Sequence, residues 1–413
     1  MDRLQQLDLF APAIAAAGQY DVAVTPEVSE WLATGAVCGL GVSGGKDSQA
    51  MAIRLAEYLD QIGHKGPRVL IHSDLGVVEW KDSLPVCERL AKRLGWELIV
   101  LRRAAGDMMD RWEARWASSL ERYSTLSCVK IILPWSTPGM RFCTSELKTD
   151  LICRELTKRY PGQKILSATG VRHDESASRA KMPIAAPQPK LSARGCQGMN
   201  WNPIAPWSTP SVYDYIKLKK EDLHEAYTVY KSTRVSCAFC IMGSAGDLKA
   251  SASCPDNADI YRRMVRLEIA STFGLQGGKW LGDVAPHLLT PEEREGLAEA
   301  KRRAELRVQA ESRLPAHLLY ASGWPTCVPT EEEAQLIAEV RLSVASVLGI
   351  TVGFTSSGEI IARYQELLAI RQAKGIPTQK AVIAKAKPRS RQVTDAMCGL
   401  MGCSPAAEMA TQH

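Results

Sequence analysis

No part of the 413-residue chain contains the roughly 18 unbroken apolar residues that a membrane-spanning helix requires. The opening residues Met1-Asp2-Arg3-Leu4-Gln5-Gln6 also lack the basic start and apolar core of a secretory signal. A cytoplasmic location with no membrane partner is therefore the expectation. Internal repeats and low-complexity tracts are absent as well, so a repeat array is set aside. Charge of one sign is in little excess: the formal net charge is +6, which permits contact with a polyanion without requiring it. Cysteine is not scarce. Twelve cysteines in a chain without an export signal point to metal ligation or redox chemistry rather than structural disulfides.

What is present is a strand–helix alternation. Apolar, strand-like runs recur at about 36–42, 68–73, 97–101 and 165–171, separated by helical patterns at Ser48–Ile62 and Ser83–Leu94. Such alternation predicts an α/β fold: a parallel twisted sheet with flanking helices, whose ligands bind beyond the carboxyl ends of the strands. Residues 1–34 read as a polar, Ala-rich lead-in, 35–285 as the α/β domain and 286–413 as a helical accessory region. In the last of these, Thr290–Arg313, Thr330–Leu348 and Ser357–Ala373 are amphipathic. Between Lys374 and Arg391 lie six basic residues and no acidic one, a basic tail.

The first strand ends in Ser43-Gly44-Gly45-Lys46-Asp47-Ser48 and a helix follows. Strand, glycine turn and helix aim unpaired backbone N–H groups at an anion, and Lys46 adds a point charge. The segment lacks the spacing of a Walker loop. Asp74 and Gly76 end the second strand; the carboxylate suits Mg²⁺, a ribose or adenine, or simply the cap of the next helix. In Gly170-Val171-Arg172-His173-Asp174-Glu175-Ser176-Ala177-Ser178-Arg179, a helix from about 173 would put Arg172, Glu175 and Arg179 near one face. Two arginines held by a glutamate make a fork for phosphate or sulfate oxygens, and a solvated charged helix has the same composition. Cys237-Ala238-Phe239-Cys240, with Cys254 thirteen intervening residues later and Cys143 upstream, can chelate iron or zinc. Cys38, Cys87 and Cys153 fall on apolar faces as small core residues.

Ser43–Ser48 resembles the SGGKDS signature of the PP-loop ATP pyrophosphatases, which cleave ATP between the α- and β-phosphates. Gly170-Val171-Arg172 with Glu175, Ser176 and Arg179 is similar to the arginine motif of the phosphoadenosine-phosphosulfate reductase family within that group. Asn202-Pro203-Ile204 through Val212 and Ile216 resembles a further block of the family. His224, Ala226, Tyr227 and Arg234–Cys237 resemble another, although Glu225 stands where proline is usual. The resemblance covers about 36–255 and implies the adenine nucleotide α-hydrolase-like fold. It also implies ATP bound by Ser43, Gly44, Gly45, Lys46, Asp47, Ser48, Asp74, Gly170 and Glu175. Lys46, Asp47, Arg172 and Arg179 would be catalytic, Mg²⁺ would be required, and Cys143, Cys237, Cys240 and Cys254 would hold a [4Fe–4S] cluster, with zinc the structural alternative.

Two departures turn the reading from reduction to transfer. Met397-Cys398-Gly399-Leu400-Met401 lacks the glutamate and histidine of the reductases' C-terminal thiol segment, although Cys398 with Cys403 remains a conceivable thiol pair. Arg141-Phe142-Cys143-Thr144 with Leu147-Lys148 resembles the reductase-like sulfurtransferases of bacterial DNA phosphorothioation systems. The expectation is an ATP-dependent sulfurtransferase acting on DNA with a sulfur-donor protein; an adenylyl-sulfate reductase and a tRNA thiolase are the alternatives. Gln6-Leu7-Asp8-Leu9-Phe10 resembles the peptide that docks on the DNA-polymerase sliding clamp, and an amphipathic first turn is the other reading.

Overall fold

In the computed structural model, residues 18–376 are described. They form two compact units, one of 18–117 with 133–304 and one of 118–132 with 305–376. The sequence places a boundary at 285/286, where charge rises. The observed division falls at 304/305, because the segment after 285 still packs on the first unit: Arg266 pairs with Glu293 at 2.8 Å, and Leu297 lies against Gly282.

The first unit carries a six-stranded sheet. Its strands are β1 (Val37–Gly41), β2 (Arg68–Asp74), β3 (Glu97–Arg102), β4 (Lys164–Ala168), β5 (Ala185–Pro187) and β6 (Gln197–Trp201). Their order is β3-β2-β1-β4-β6-β5, parallel except for the β5–β6 pair. Period-two alternation splits the core between the two faces. Cys38 and Leu40 of β1 and Leu70 of β2 join one apolar cluster, while Val37, Val69 and Ile71 join the other. Four strands lie where the sequence pattern puts them. β5 and β6 escape it, since Ala-Ala-Pro and Gln-Gly-Met-Asn-Trp carry no β-branched run.

Two helices follow the first two strands, α1 (Lys46–Gln61) after β1 and α2 (Ser83–Leu94) after β2. Cys38 and Cys87 are fully buried and Cys153 nearly so, as core residues should be. From β1 the chain steps outward to β2 and β3, then returns to place β4 on the other side of β1. The loops after β1 and β4 therefore diverge in opposite directions and open a crevice, the usual ligand position in such a sheet.

The second unit is helical, with Glu331–Leu348 and Ser357–Ala373 matching two of the expected helices. Its centre is Arg341, fully buried, which donates to the carbonyls of Tyr123, Ser124, Gly353 and Phe354. Thr330 and Glu333 form a reciprocal cap at the start of the first helix. The peptide Gln6–Phe10, the basic residues from Lys380 to Arg391, and Cys398 and Cys403 lie outside the described residues. Among the described residues no helix is long and apolar enough to cross a membrane.

Candidate nucleotide and thiol site

The glycine turn is built by close approach. Gly44 has φ +74°, and a Cβ there would sit 2.8 Å from the carbonyl oxygen of Ser83, so only glycine lets the start of α2 come so near. Gly45 caps α1 without a side-chain bond of its own. Ser48 Oγ folds back to accept from Ser43 N at 3.2 Å and to donate to Gly45 O at 2.9 Å. The turn is thereby held open at the head of a 16-residue helix.

Lys46 is only 4% exposed. Its Nζ donates to Asp47 Oδ2 at 3.2 Å and to Thr233 O at 3.3 Å, between the rings of Tyr213 and Tyr227. The other oxygen of Asp47 accepts from Arg172 Nε at 2.7 Å, and Arg172 Nη1 reaches Trp207 O at 3.3 Å and Asp174 Oδ2 at 3.4 Å. A fork of two guanidinium groups on one glutamate is not what forms. Glu175 accepts from the main-chain N–H of Arg172 and pairs with the side chain of Arg179, while the Arg172 guanidinium turns inward, 2% exposed. The expected helix from 173 is two short turns, His173–Glu175 and Arg179–Lys181. Asp174 spends its carboxylate on Thr209 N and Oγ1, which holds it below the usual range and fastens the loop to the next helix.

Gly170 is a second close junction in the crevice. A Cβ there would lie 2.8 Å from Asp47 C and 2.9 Å from Ser48 N, so the loop after β4 rides directly on the first turn of α1. Asp74 is used locally: Oδ1 accepts from Gly76 N at 2.7 Å and Oδ2 from Arg102 Nε at 2.5 Å. His72, on the same strand, has acceptors at both ring nitrogens, Val42 O and Glu79 Oε2, each at 3.1 Å. Burial opposes its charge, but Cys87 and Glu79 outweigh that and push it up to about 10. His224 is the reverse case. Burial pulls it down to about 4, and its neutral Nδ1 accepts from Ala226 N at 2.9 Å.

The thiols stand next to this web. Ala238 N donates to Val78 O at 2.8 Å, and Glu79 bridges to Cys237, laying the Cys237–Cys240 turn along the loop after β2. Cys143, Cys237 and Cys240 pack on one apolar cluster with Trp80, Phe142 and Phe239. Burial pushes the Cys237 thiol well up, with Cys240 and Cys143 adding to the effect and Lys148 opposing it. Cys254 is 2% exposed, and its sulfur pushes the Tyr230 phenol up to about 12. Thiols from a helical turn and a loop against one apolar wall are the donor chemistry of an iron–sulfur cluster. Among the described residues no three His, Cys, Asp or Glu side chains stand at metal-ligand spacing.

Two residues received no role from the sequence. Tyr227 was visible only as part of a motif, yet its hydroxyl accepts from Lys46 N at 3.2 Å and Val235 N at 3.1 Å. Asp247 lies in no family motif. Its only sequence signal is Ser244-x-x-Asp247, a capping pattern.

Fold and site define an α/β enzyme with a PP-loop at the crevice of a parallel sheet. Residues 38–241 match the phosphoadenosine phosphosulfate reductase domain, so the chain carries a domain of that family over just under half of its length. No curated protein matches the sequence. Among solved structures, phosphoadenylyl-sulfate (PAPS) reductase from Candida auris in its phosphate complex is 13% identical with a TM-score of 0.32, over 57% of this chain and 96% of that one. FMN adenylyltransferase from Candida glabrata, with FAD and inorganic pyrophosphate, is 14% identical with a TM-score of 0.36, over 55% of this chain and 65% of that one, under two thirds of its length. The U34-tRNA thiolase NcsA from Methanococcus maripaludis, with its [4Fe–4S] cluster, is 14% identical with a TM-score of 0.35, over 73% of this chain and 81% of that one.

Proposed function

We propose that this protein is an ATP-dependent sulfurtransferase of the cytoplasm that acts on nucleic acid, with DNA phosphorothioation as its reaction. The observation that carries the reading is the bond from Lys46 Nζ to Thr233 O at 3.3 Å, four residues before Cys237, which joins the phosphate loop and the thiol turn in one site. The block Arg141–Thr144 with Leu147 and Lys148 supports transfer rather than reduction.

ATP phosphates would lie on the N–H groups of Ser43–Ser48. A phosphate oxygen of the acceptor attacks the α-phosphorus, the bond to the β-phosphate breaks, and pyrophosphate leaves. Lys46 offsets the charge that develops on it. A sulfide-level sulfur from a donor protein then attacks the activated phosphorus, and AMP departs with the original oxygen. Arg172 and Arg179 can hold the acceptor once Asp47 and Glu175 release them. Mg²⁺ would offset phosphate charge when bound. Cys143, Cys237 and Cys240 would hold an iron–sulfur cluster, which would supply electron or bound-sulfur chemistry there. The basic stretch 374–391 would add salt-dependent backbone attraction, and Gln6–Phe10 would tether the enzyme to a sliding clamp.

Mass spectrometry of DNA nucleotides with and without the gene tests this reading: sulfur in place of oxygen is expected only with it. DNA-stimulated pyrophosphate release is the matching assay in solution. The second reading, an adenylyl-sulfate reductase, is favoured by the family match at 38–241. It requires a thiol nucleophile, so Cys398→Ser with Cys403→Ser would abolish activity under that reading and spare it under ours.

A further inference from the structure

The turn carrying Cys237 and Cys240 is closed at its neck by one carboxylate. Asp247 Oδ1 accepts from Thr233 N at 2.7 Å, Thr233 Oγ1 at 2.9 Å and Ser232 Oγ at 3.1 Å. Its Oδ2 accepts from Ser244 Oγ at 2.7 Å and Ser244 N at 3.3 Å. The Ser244 bonds are an ordinary helix cap. The three from Ser232 and Thr233 belong to no cap: they fasten the arm entering the turn to the arm leaving it. The entering arm is in turn fastened to the first turn of α1. Thr233 O holds Lys46 Nζ, and the Tyr227 hydroxyl takes both Lys46 N and Val235 N. Asp247 is 7% exposed and Tyr227 8%, and among their donors Lys46 is itself buried, so loss of the Tyr227 hydroxyl would take the partner from a buried N–H.

We infer that Asp247 is a positioning residue that transmits occupancy of the phosphate loop to the Cys237–Cys240 turn, with Tyr227 as the link to α1. The inference rests on the proposed binding of ATP at 43–48. A phosphate on the loop orders the first turn of α1. Tyr227 is bonded to the main chain of that same turn and to Val235, so the order passes to the entering arm. Asp247 then passes it across the neck to Ser244.

Hydrogen–deuterium exchange of the full chain, with and without α,β-methylene-ATP, tests it. Exchange is expected to slow about tenfold at both 43–49 and 233–244, the scale of a moderate coupling between sites. In Tyr227→Phe and in Asp247→Asn the slowing at 43–49 persists and that at 233–244 is lost. Equal slowing at 233–244 in the variants overturns the inference. So does slowing confined to 43–49 in the unaltered chain. If 43–49 itself does not respond, the ATP reading falls, and the inference with it. Should Asp247→Asn fail to fold, Tyr227→Phe decides alone.

Discussion

Arg172 Nε donates to Asp47 Oδ1 at 2.7 Å while Lys46 Nζ holds Oδ2 at 3.2 Å, so one carboxylate stands between two cations at the head of α1. Arg172 is buried and the Asp47 side chain is 21% exposed. Removing Asp47 leaves the buried guanidinium only Trp207 O at 3.3 Å and Asp174 Oδ2 at 3.4 Å, and breaking such a pair costs about 3–5 kcal/mol when both partners are buried. Partial solvent access at Asp47 lowers this to about 2–3 kcal/mol. Asp47→Ala is therefore expected to lower the urea midpoint clearly and to abolish ATP turnover. Arg179→Ala, which breaks a partly exposed pair with Glu175, should cost under about 1 kcal/mol. Equal losses in the two variants would contradict the arrangement.

Gly170→Ala and Gly41→Ala form a second test. A Cβ at Gly170 meets main-chain atoms of Asp47 and Ser48 within 2.9 Å, whereas at Gly41 the nearest atom is Ala168 O at 3.6 Å. Main chain cannot swing aside as a side chain does. Gly170→Ala should cost about 1–3 kcal/mol and weaken nucleotide binding, read by calorimetric titration with ATP. Gly41→Ala should bind normally.

The buried His224 predicts a pH dependence. An unfolded histidine protonates near 6.5, but burial delays the folded one to about 4. Protons therefore bind the unfolded chain preferentially between those values. The stability due to His224 is complete above pH 6.5 and is lost as pH falls towards 4. His224→Asn keeps an acceptor for Ala226 N without the titration. The difference in urea midpoint between the two proteins should shrink over that window, and a constant difference would refute the assignment.

For the thiols the measurement is iron and acid-labile sulfide after anaerobic purification. Cys143→Ser, Cys237→Ser and Cys240→Ser are each expected to lose most of both. Cys254→Ser should lose less, because its sulfur lies against Tyr230 and Cys237 responds instead to Cys240 and Cys143. Zinc without sulfide would replace the cluster by a structural ion.

The sheet and its crevice were legible because each depends on local pattern. The apolar run to Gly41, the glycine turn and the helix after it follow from residues adjacent in sequence, and so do the caps of the later helices. The Cys237–Cys240 turn was legible for the same reason. Arg172 was visible as a charged residue in a motif, but its direction was not: that depends on Asp47 and Trp207, brought in from distant parts of the chain, with Asp174 of the same motif adding a longer contact. β5 and β6 were hidden because their residues have little strand preference, and they pair only once β4 offers an edge.

The sequence by itself determined the glycine turn at the head of α1, the Cys237–Cys240 spacing and the order of strand and helix, since these rest on short-range spacing and backbone chemistry. Only the tertiary structure decided which charges neutralise one another, and that Asp247 and Tyr227 bind the thiol turn to the phosphate helix. Those choices depend on burial. A charge or hydroxyl inside the fold must take whatever partner the packing brings within hydrogen-bond reach, and that partner is here some 180 residues away along the chain for Tyr227 and Lys46.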